Sequence, residues 1–502
     1  MDRRTFVGLM GAGAVLPSGF RELNWEALEQ TRRHPLLRMP NVSGAGLTLT
    51  ARPARVDVGA GVVDAFTLNG SVPSPTIRLR QGERARIDLV NRLPEQTILH
   101  WHGLAVPQEA DGHPRLAIDP GETYAYDYPI LNRSGTYWYH PHTHRLTAAQ
   151  TYRGMGGFLI VENDEEDGYE LPAGEYEIPL VLQDKRLDGS VSLDYALGMP
   201  PDMMHGYLGD TAFANGVANA TVDVRRSRYR LRMLNGSNSR IFDLGLSSGE
   251  ALTLIGSDGG LLEAQVPMER IMLGPAERAD VLVDFSARRP GERVMLRSLA
   301  FDVPGMMMGM GGGRGGRGGR GGRGGMMMGM GGSAQGTEMD LLEFVVLDSP
   351  SEPGPPPPAR FAPVPNRGDV RGDTPRRSFT FSSSMMMGGG QPNHTINGLK
   401  FDMGRVDVRI RRMQTEVWTF VNDSEVPHPV HVHSGQFRVL SRTGGRGRLM
   451  PWETGLKDTV LTMPGERVDV AVRFFYEGLF LLHCHNLEHE DMDMMLNFEV
   501  IA

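Results

Sequence analysis

Short runs in which Val, Ile, Leu, Phe and Tyr alternate with polar residues recur along most of the chain, and Gly, Pro, Asn or Asp close each run. A period of two buries one face of an extended strand, and the closing residues supply turns, so the pattern predicts strands. Between about residues 45 and 165 the runs 76–79, 86–90 and 157–161 are the clearest. The same spacing returns from about 175 to 348, with 230–234, 251–255 and 279–285, and again from 376 to 502, with 416–421, 437–440, 467–473 and 478–482. Three consecutive β-sandwiches, 45–165, 175–348 and 376–502, fit the pattern.

Two stretches break it. Residues 349–375 are rich in Pro and Gly, including Pro355 to Pro358, and read as an extended linker before the last sandwich. Residues 305–332 are an insertion in the second sandwich, with Arg-Gly-Gly repeats between two Met-rich ends, Met306 to Met310 and Met326 to Met330. Glycine loses the most entropy on ordering and the repeats have no apolar period, so this segment is expected to be a disordered surface loop. A third tract, Met385-Met386-Met387, precedes three glycines.

At 502 residues the chain is too long for one core, and 40% hydrophobic with 22% charged residues is ordinary for a globular protein. A net charge of −8 over that length argues against a nucleic-acid partner, and the arginines of the insertion read as keeping a Met-rich loop soluble. Asp2-Arg3-Arg4-Thr5-Phe6 followed by an apolar run to Leu16 resembles a twin-arginine export signal, so residues 1–44 are assigned to a signal and N-terminal segment. An exported, periplasmic or extracellular monomer with no stable membrane span is expected.

The chemistry is concentrated in histidine. Ten of the fifteen lie in four clusters: His100-Trp101-His102; His140-Pro141-His142; His428, His431 and His433; and His483-Cys484-His485 followed by His489. On a strand, residues i and i+2 share a face and lie about 7 Å apart, so two such imidazoles can serve neighbouring metal ions. In His483-Cys484-His485 the two imidazoles face one side and the thiolate the other, which lets one tripeptide join two metal sites. His428, an odd three residues before His431, belongs on the cysteine side. Cys484 is the only cysteine and has no disulfide partner. With His489 and Met494 at offsets of five and ten it completes a blue-copper ligand set of two His, one Cys and an axial Met, with Met492 and Met495 as rival axial ligands. Zinc competes, but no second cysteine helps complete a zinc site.

These motifs resemble the three-domain multicopper oxidases, especially bacterial laccases and periplasmic cuprous oxidases, over essentially the whole chain after the signal. Segments 211–216, 231–236 and 256–260 also look like that family, more weakly. The resemblance implies three cupredoxin-like Greek-key sandwiches in an all-β chain and four copper ions. A type 1 ion would be held by His428, Cys484, His489 and Met494, and a type 2 ion by His100 and His431. One type 3 ion would take His102, His140 and His485, and the other His142, His433 and His483. Asp111 and Glu490 match the family's acidic proton-relay positions, while Asp111-Gly112 also reads as a turn and Glu490 as a solvated carboxylate. His34, His113, His144, His205 and His394 have no required role, and His144 reads as exposed. Arg145 stands where the family usually has Gly.

The implied reaction is four one-electron donor oxidations coupled to reduction of dioxygen to water, with His483, Cys484 and His485 linking the two sites. The Met tracts suggest Cu(I) as donor, in copper tolerance, because thioether sulfur is a soft ligand. Yet 423–427, just before His428, supplies acids and no Met, so phenols and aromatic amines stay open. A non-catalytic copper-sequestering or cell-envelope protein is the other class of reading, and it has no use for the His-Cys-His bridge.

Overall fold

The computed structural model describes residues 33–187, 193–303, 333–365, 369–385 and 391–502. The export-like signal, the Met-rich insertion and most of the 385–387 tract lie outside the described residues.

Three successive sandwiches form, each of two facing sheets with Greek-key crossovers. In the first, Asn41–Ser43, Thr76–Arg80, Gly157–Glu162, Gly135–Pro141 and Leu99–His102 make one sheet, in that order across it; Val62–Leu68, Ala45–Asp57, Arg84–Asn91 and Thr123–Pro129 make the other. In the third, Val408–Arg411, Met495–Ile501, Gly478–Cys484, His428–Val432 and Thr459–Thr462 form the sheet that carries two of the four histidine motifs. Each of the ten predicted strands is present with bounds shifted by at most three residues, for example Arg84–Asn91 and Leu252–Ser257. A separate apolar cluster fills each sandwich; that of the third contains Trp418, Phe420, Val430 and Leu482 together with Cys484 and Met494.

Two boundaries differ from the sequence reading. Asn41–Ser43 pairs with Thr76–Arg80, and His34–Pro35 pairs with Ala220–Val224 of the second sandwich, so folded chain begins before residue 45. The first part of the Pro-rich segment, up to Phe361, is not a free spacer. Its backbone bridges Ser227 at Glu352 and Ala264 at Arg360, and Phe361 is buried against Ile255, Leu261 and Leu282. Proline removes N–H donors without removing acceptors: Pro355 O still accepts from Arg228 at 2.7 Å.

Buried ion pairs join the sandwiches. Arg230 and Arg232 of the second meet Glu166, which follows the first, and Glu177, with Nη1 of Arg230 2.5 Å from Glu166 and Nε of Arg232 2.9 Å from Glu177. Burial alone would raise the Glu177 carboxyl, but Arg232, Arg230 and Arg78 overcome it and hold the group at about 2. Arg278 of the second sandwich reaches into all three: it donates to Thr136 O at 3.0 Å, Ala276 O at 2.8 Å and Asp458 Oδ1 at 2.7 Å.

Candidate metal centre

Strand register brings the histidines together. His100 lies opposite His140, and His431 opposite His483, while Val430 lies opposite Cys484. Cross-strand neighbours share a face. Four imidazoles of the first sandwich therefore meet four of the third, and Cys484 turns to the other side with His428, whose Nδ1 is 3.4 Å from Cys484 Sγ.

Hydrogen bonding fixes where the lone pairs point. Nδ1 of His100 bonds Asp111 O at 2.6 Å and Nδ1 of His431 bonds Asp458 O at 2.8 Å. A carbonyl only accepts, so both Nδ1 atoms carry the hydrogen and both Nε2 atoms present lone pairs. Those Nε2 atoms face each other at 3.2 Å. His433 Nδ1 bonds the Asp111 carboxylate at 2.7 Å and His483 Nδ1 bonds Cys484 O at 3.1 Å, leaving their Nε2 atoms 3.1 Å apart with His142 Nε2 3.4 Å from that of His483. His102 gives its Nε2 hydrogen to Asp458 Oδ1 at 3.0 Å; its Nδ1 lies 3.4 Å from His140 Nε2, which is itself 3.4 Å from His485 Nε2. Lone pairs set face to face repel, and a cation between them turns that repulsion into ligation. The residues present fit metal ions.

Two of the compact triads are His142/His433/His483 and His428/Cys484/His489, each with ligand atoms within 4.8 Å of one another. His140 Nε2 lies 3.4 Å from both His102 Nδ1 and His485 Nε2, while the compact groups that include His102 are His100/His102/His140 and His102/His431/Asp458.

At the second site Cys484 Sγ is 3.7 Å from Nδ1 of His489. His489 sits in the helix Leu487–Asp491, capped by the Asn486 side chain, and its Nε2 donates to Met204 O at 3.0 Å, which leaves Nδ1 free to ligate. Ser424 Oγ holds His428 Nε2 at 2.9 Å in the same way. Burial pushes the Cys484 thiol up, so the thiolate needs a cation beside it. Among the candidate axial residues Met494 is fully buried in the apolar cluster of Cys484, Met495 packs instead with Phe401 and Leu481, and Met492 caps the helix.

Asp111 and Glu490 are both buried, which corrects the solvated reading of Glu490. Gly112, at φ +81 with no room for a Cβ against Leu99 O, makes the turn that presses Asp111 against the His100 strand. Burial raises the Asp111 carboxyl well above its usual range, although Arg115 and the Ser434 backbone N–H oppose the rise, and among the described residues its Oδ1 makes no side-chain hydrogen bond. Glu490 lies between two rings, Oε2 3.1 Å from His483 Nδ1 and Oε1 3.6 Å from His142 Nε2. His144 is not an open imidazole: its Nε2 pairs with Asp493 Oδ1 at 3.0 Å. Arg145 occupies the left-handed region at φ +62, which explains a preference for Gly there, and is tied to Asp493 at 3.1 Å.

Sequence reasoning did not single out Asp458, Thr459, Arg278 and Trp138. Asp458 and Thr459 hold His102, and Thr459 Oγ1 is also 3.2 Å from His431 Nδ1. Trp138 stacks on His140 with ring centroids 4.2 Å apart. Asp258, within the 256–260 motif, braces this corner by accepting from Arg278 N at 2.8 Å and pairing with Lys457 at 2.9 Å.

Burial also lowers the imidazoles, His100 and His428 to about 3 and His102, His140, His142, His431, His433, His485 and His489 well below the usual value. The unfolded chain takes up protons below about pH 6.5 that the folded chain refuses, so stability present above that pH is lost as pH falls towards 3. Each imidazole so held contributes about 1 kcal/mol of that loss between pH 7 and 5.5. The urea midpoint of copper-stripped protein should fall steeply over this interval, and a flat midpoint would contradict the burial described.

Comparison with known proteins agrees with this arrangement. Residues 50–166, 196–303 and 370–502 match multicopper oxidase domains. The chain is 32% identical to a multicopper oxidase of Staphylococcus haemolyticus over 86% of this chain and 83% of that protein. It is 29% identical to a laccase of Bacillus stratosphericus over 87% and 90%. The McoA multicopper oxidase of Aquifex aeolicus superposes with a TM-score of 0.80 at 32% identity, covering 94% of this chain and all of that one. Its three sandwiches are cupredoxin-like, and the chain belongs to the multicopper oxidase family.

Proposed function

We propose that the protein is a four-copper oxidase in which donor oxidation, chiefly of Cu(I), is coupled to reduction of dioxygen to water. The observation that carries this reading is the tripeptide His483-Cys484-His485, whose thiol faces His428 and His489 while its imidazoles face the lone pairs of His142, His433 and His140. His428, Cys484, His489 and Met494 would hold the type 1 ion and His100 with His431 the type 2 ion. His102, His140 and His485 would hold one type 3 ion, and His142, His433 and His483 the other. Copper bound there supplies one-electron chemistry at the first site and four-electron oxygen chemistry at the others. The protein's own part is to fix each imidazole's tautomer, exclude water and carry protons.

Asp111 fits the proton task because Oδ2 is tied to His433 while Oδ1, 3.8 Å from His100 Nδ1, makes no side-chain hydrogen bond among the described residues. Glu490, between His142 and His483, serves the other flank. Asp111→Asn keeps the shape and the bond to His433 but cannot shuttle a proton. It should slow oxygen reduction about 10- to 100-fold while reduction by donor at the type 1 site is little changed. Stopped-flow measurement of the two half-reactions decides this, and an unchanged oxygen step removes Asp111 from the relay.

Cu(I) is favoured as donor because His489 is fully buried and its outer edge bonds Met204 in the helix Pro200–His205, which also bears Met203 and follows the exposed Met199. A phenol cannot touch that imidazole directly, whereas a small soft cation can approach thioethers beside it. The test is turnover of Cu(I) and of a phenol side by side, in the intact protein and in one lacking residues 305–332. A raised KM for Cu(I) alone in the deletion supports a Cu(I)-collecting insertion. Equal effects, or none, leave a laccase-type phenol oxidase as the better description. That second reading draws on the likeness to laccases. Export by the twin-arginine route, suited to a protein that takes up copper before crossing the membrane, belongs to the same proposal; no helix among the described residues is long and apolar enough to span a bilayer.

A further inference from the structure

The helix Pro200–His205 has six residues, too few to persist by its own backbone bonds; at its ends Asp202 N and Met203 N bond Met199 O, and Gly206 N bonds Asp202 O. Tertiary anchors hold it. At its start Arg186 grips the Asp202 carboxylate with two bonds, 2.9 and 2.6 Å. At its end three consecutive carbonyls, which no helix can satisfy internally, each receive a side chain of the third sandwich. Met203 O accepts from His394 Nε2 at 3.0 Å, Met204 O from His489 Nε2 at 3.0 Å, and His205 O from Asn486 Nδ2 at 3.3 Å.

Two of these three donors already have work in the copper site, His489 as ligand and Asn486 as the cap of its helix. His394 does not. It stands on the strand Asn393–Ile396, fully buried; Met203 O only accepts, so Nε2 carries the hydrogen and Nδ1 accepts from Ser383 Oγ at 2.7 Å. Its ring also lies flat on that of His489, centroids 4.0 Å apart and planes at 23°.

We propose that His394 is a specificity-determining residue: by bonding Met203 O and stacking on His489 it latches the helix Pro200–His205 over the His489 ring and confines donors to those no larger than a single soft metal ion. This rests on the reading of His489 as the type 1 ligand nearest the donor. An aromatic donor reaches the imidazole only when the helix lifts, and His394 is the one carbonyl partner that can be changed without altering a ligand or the cap of the ligand-bearing helix.

His394→Phe keeps an aromatic face against His489 and loses the bond to Met203, while His394→Ala loses both. In the full-length copper-free protein, amide exchange at Asp202, Met203 and Gly206 should quicken about tenfold in both variants, with the strand Arg467–Val472 unchanged as a control. In the copper-loaded variants, kcat/KM for a bulky dimethoxyphenol should rise about tenfold relative to that for Cu(I). Unchanged exchange in the Phe variant overturns the latch, and faster exchange without a gain for the phenol overturns the specificity role. The exchange measurement involves neither copper nor donor. A latch that opens in a protein that never oxidises Cu(I) upholds the latch and defeats the cuprous reading instead.

Discussion

Cys484→Ser is expected to abolish the blue absorption and to reduce donor turnover by more than about 10³-fold, beyond the ~10- to 100-fold typical of losing an outer partner of a metal ligand. Serine oxygen is too hard and too weakly acidic to replace a thiolate between His428 and His489. The fold should survive. Cys484 is fully buried, but Asn486 N already donates to its sulfur at 3.4 Å and can serve the hydroxyl, so no new orphan polar group is made. The eight imidazoles on the other side keep every partner. Retained copper there, with the blue band gone, is the expected spectrum, and a variant that stays blue removes Cys484 from the type 1 site.

Arg278→Leu should cost about 3–5 kcal/mol, the scale for breaking a buried ion pair from one side. Arg278 and Asp458 are both fully buried, and the guanidinium also supports carbonyls of Thr136, Ala276 and Asp258. Its removal leaves the Asp458 carboxylate without its cation while that carboxylate is holding His102, so loss of copper from the histidine cluster should accompany the lowered urea midpoint. Measuring both separates a structural from a site effect. A change under about 1 kcal/mol with full copper content would show that Lys457, beside Asp258, carries the charge balance without Arg278.

The strands were legible because one-sided burial writes itself as alternation: Arg84–Asn91 has every second side chain in the core. The strands that carry the chemistry have no such signal. Leu99–His102 and His428–Val432 are buried at every position, one face against apolar core and the other against imidazoles, and only the His spacing marked them. The ligand motifs were readable because a strand's period of two places both rings of His100 and His102, or of His483 and His485, on one side. Asp458 and Arg278 were not readable as site residues, since each gains its role from partners far away in sequence: 356 positions separate His102 from Asp458 and 180 separate Arg278 from it. The adjoining charges Lys457-Asp458 between the buried strands Leu456–Lys457 and Thr459–Thr462 were the available hint, because a charge buried there requires a buried partner. His394 and the docking of Glu352, Arg360 and Phe361 on the second sandwich are likewise products of tertiary packing.

The central claim, that the two sites act together as one oxidase, is tested most directly by the stoichiometry of oxygen consumption. Protein loaded with copper and supplied with a one-electron donor should consume one dioxygen for every four donors oxidised, with no hydrogen peroxide released, and the Cys484→Ser variant should consume none above background. Two donors per dioxygen with peroxide accumulating, or undiminished oxygen uptake in the variant, would contradict it.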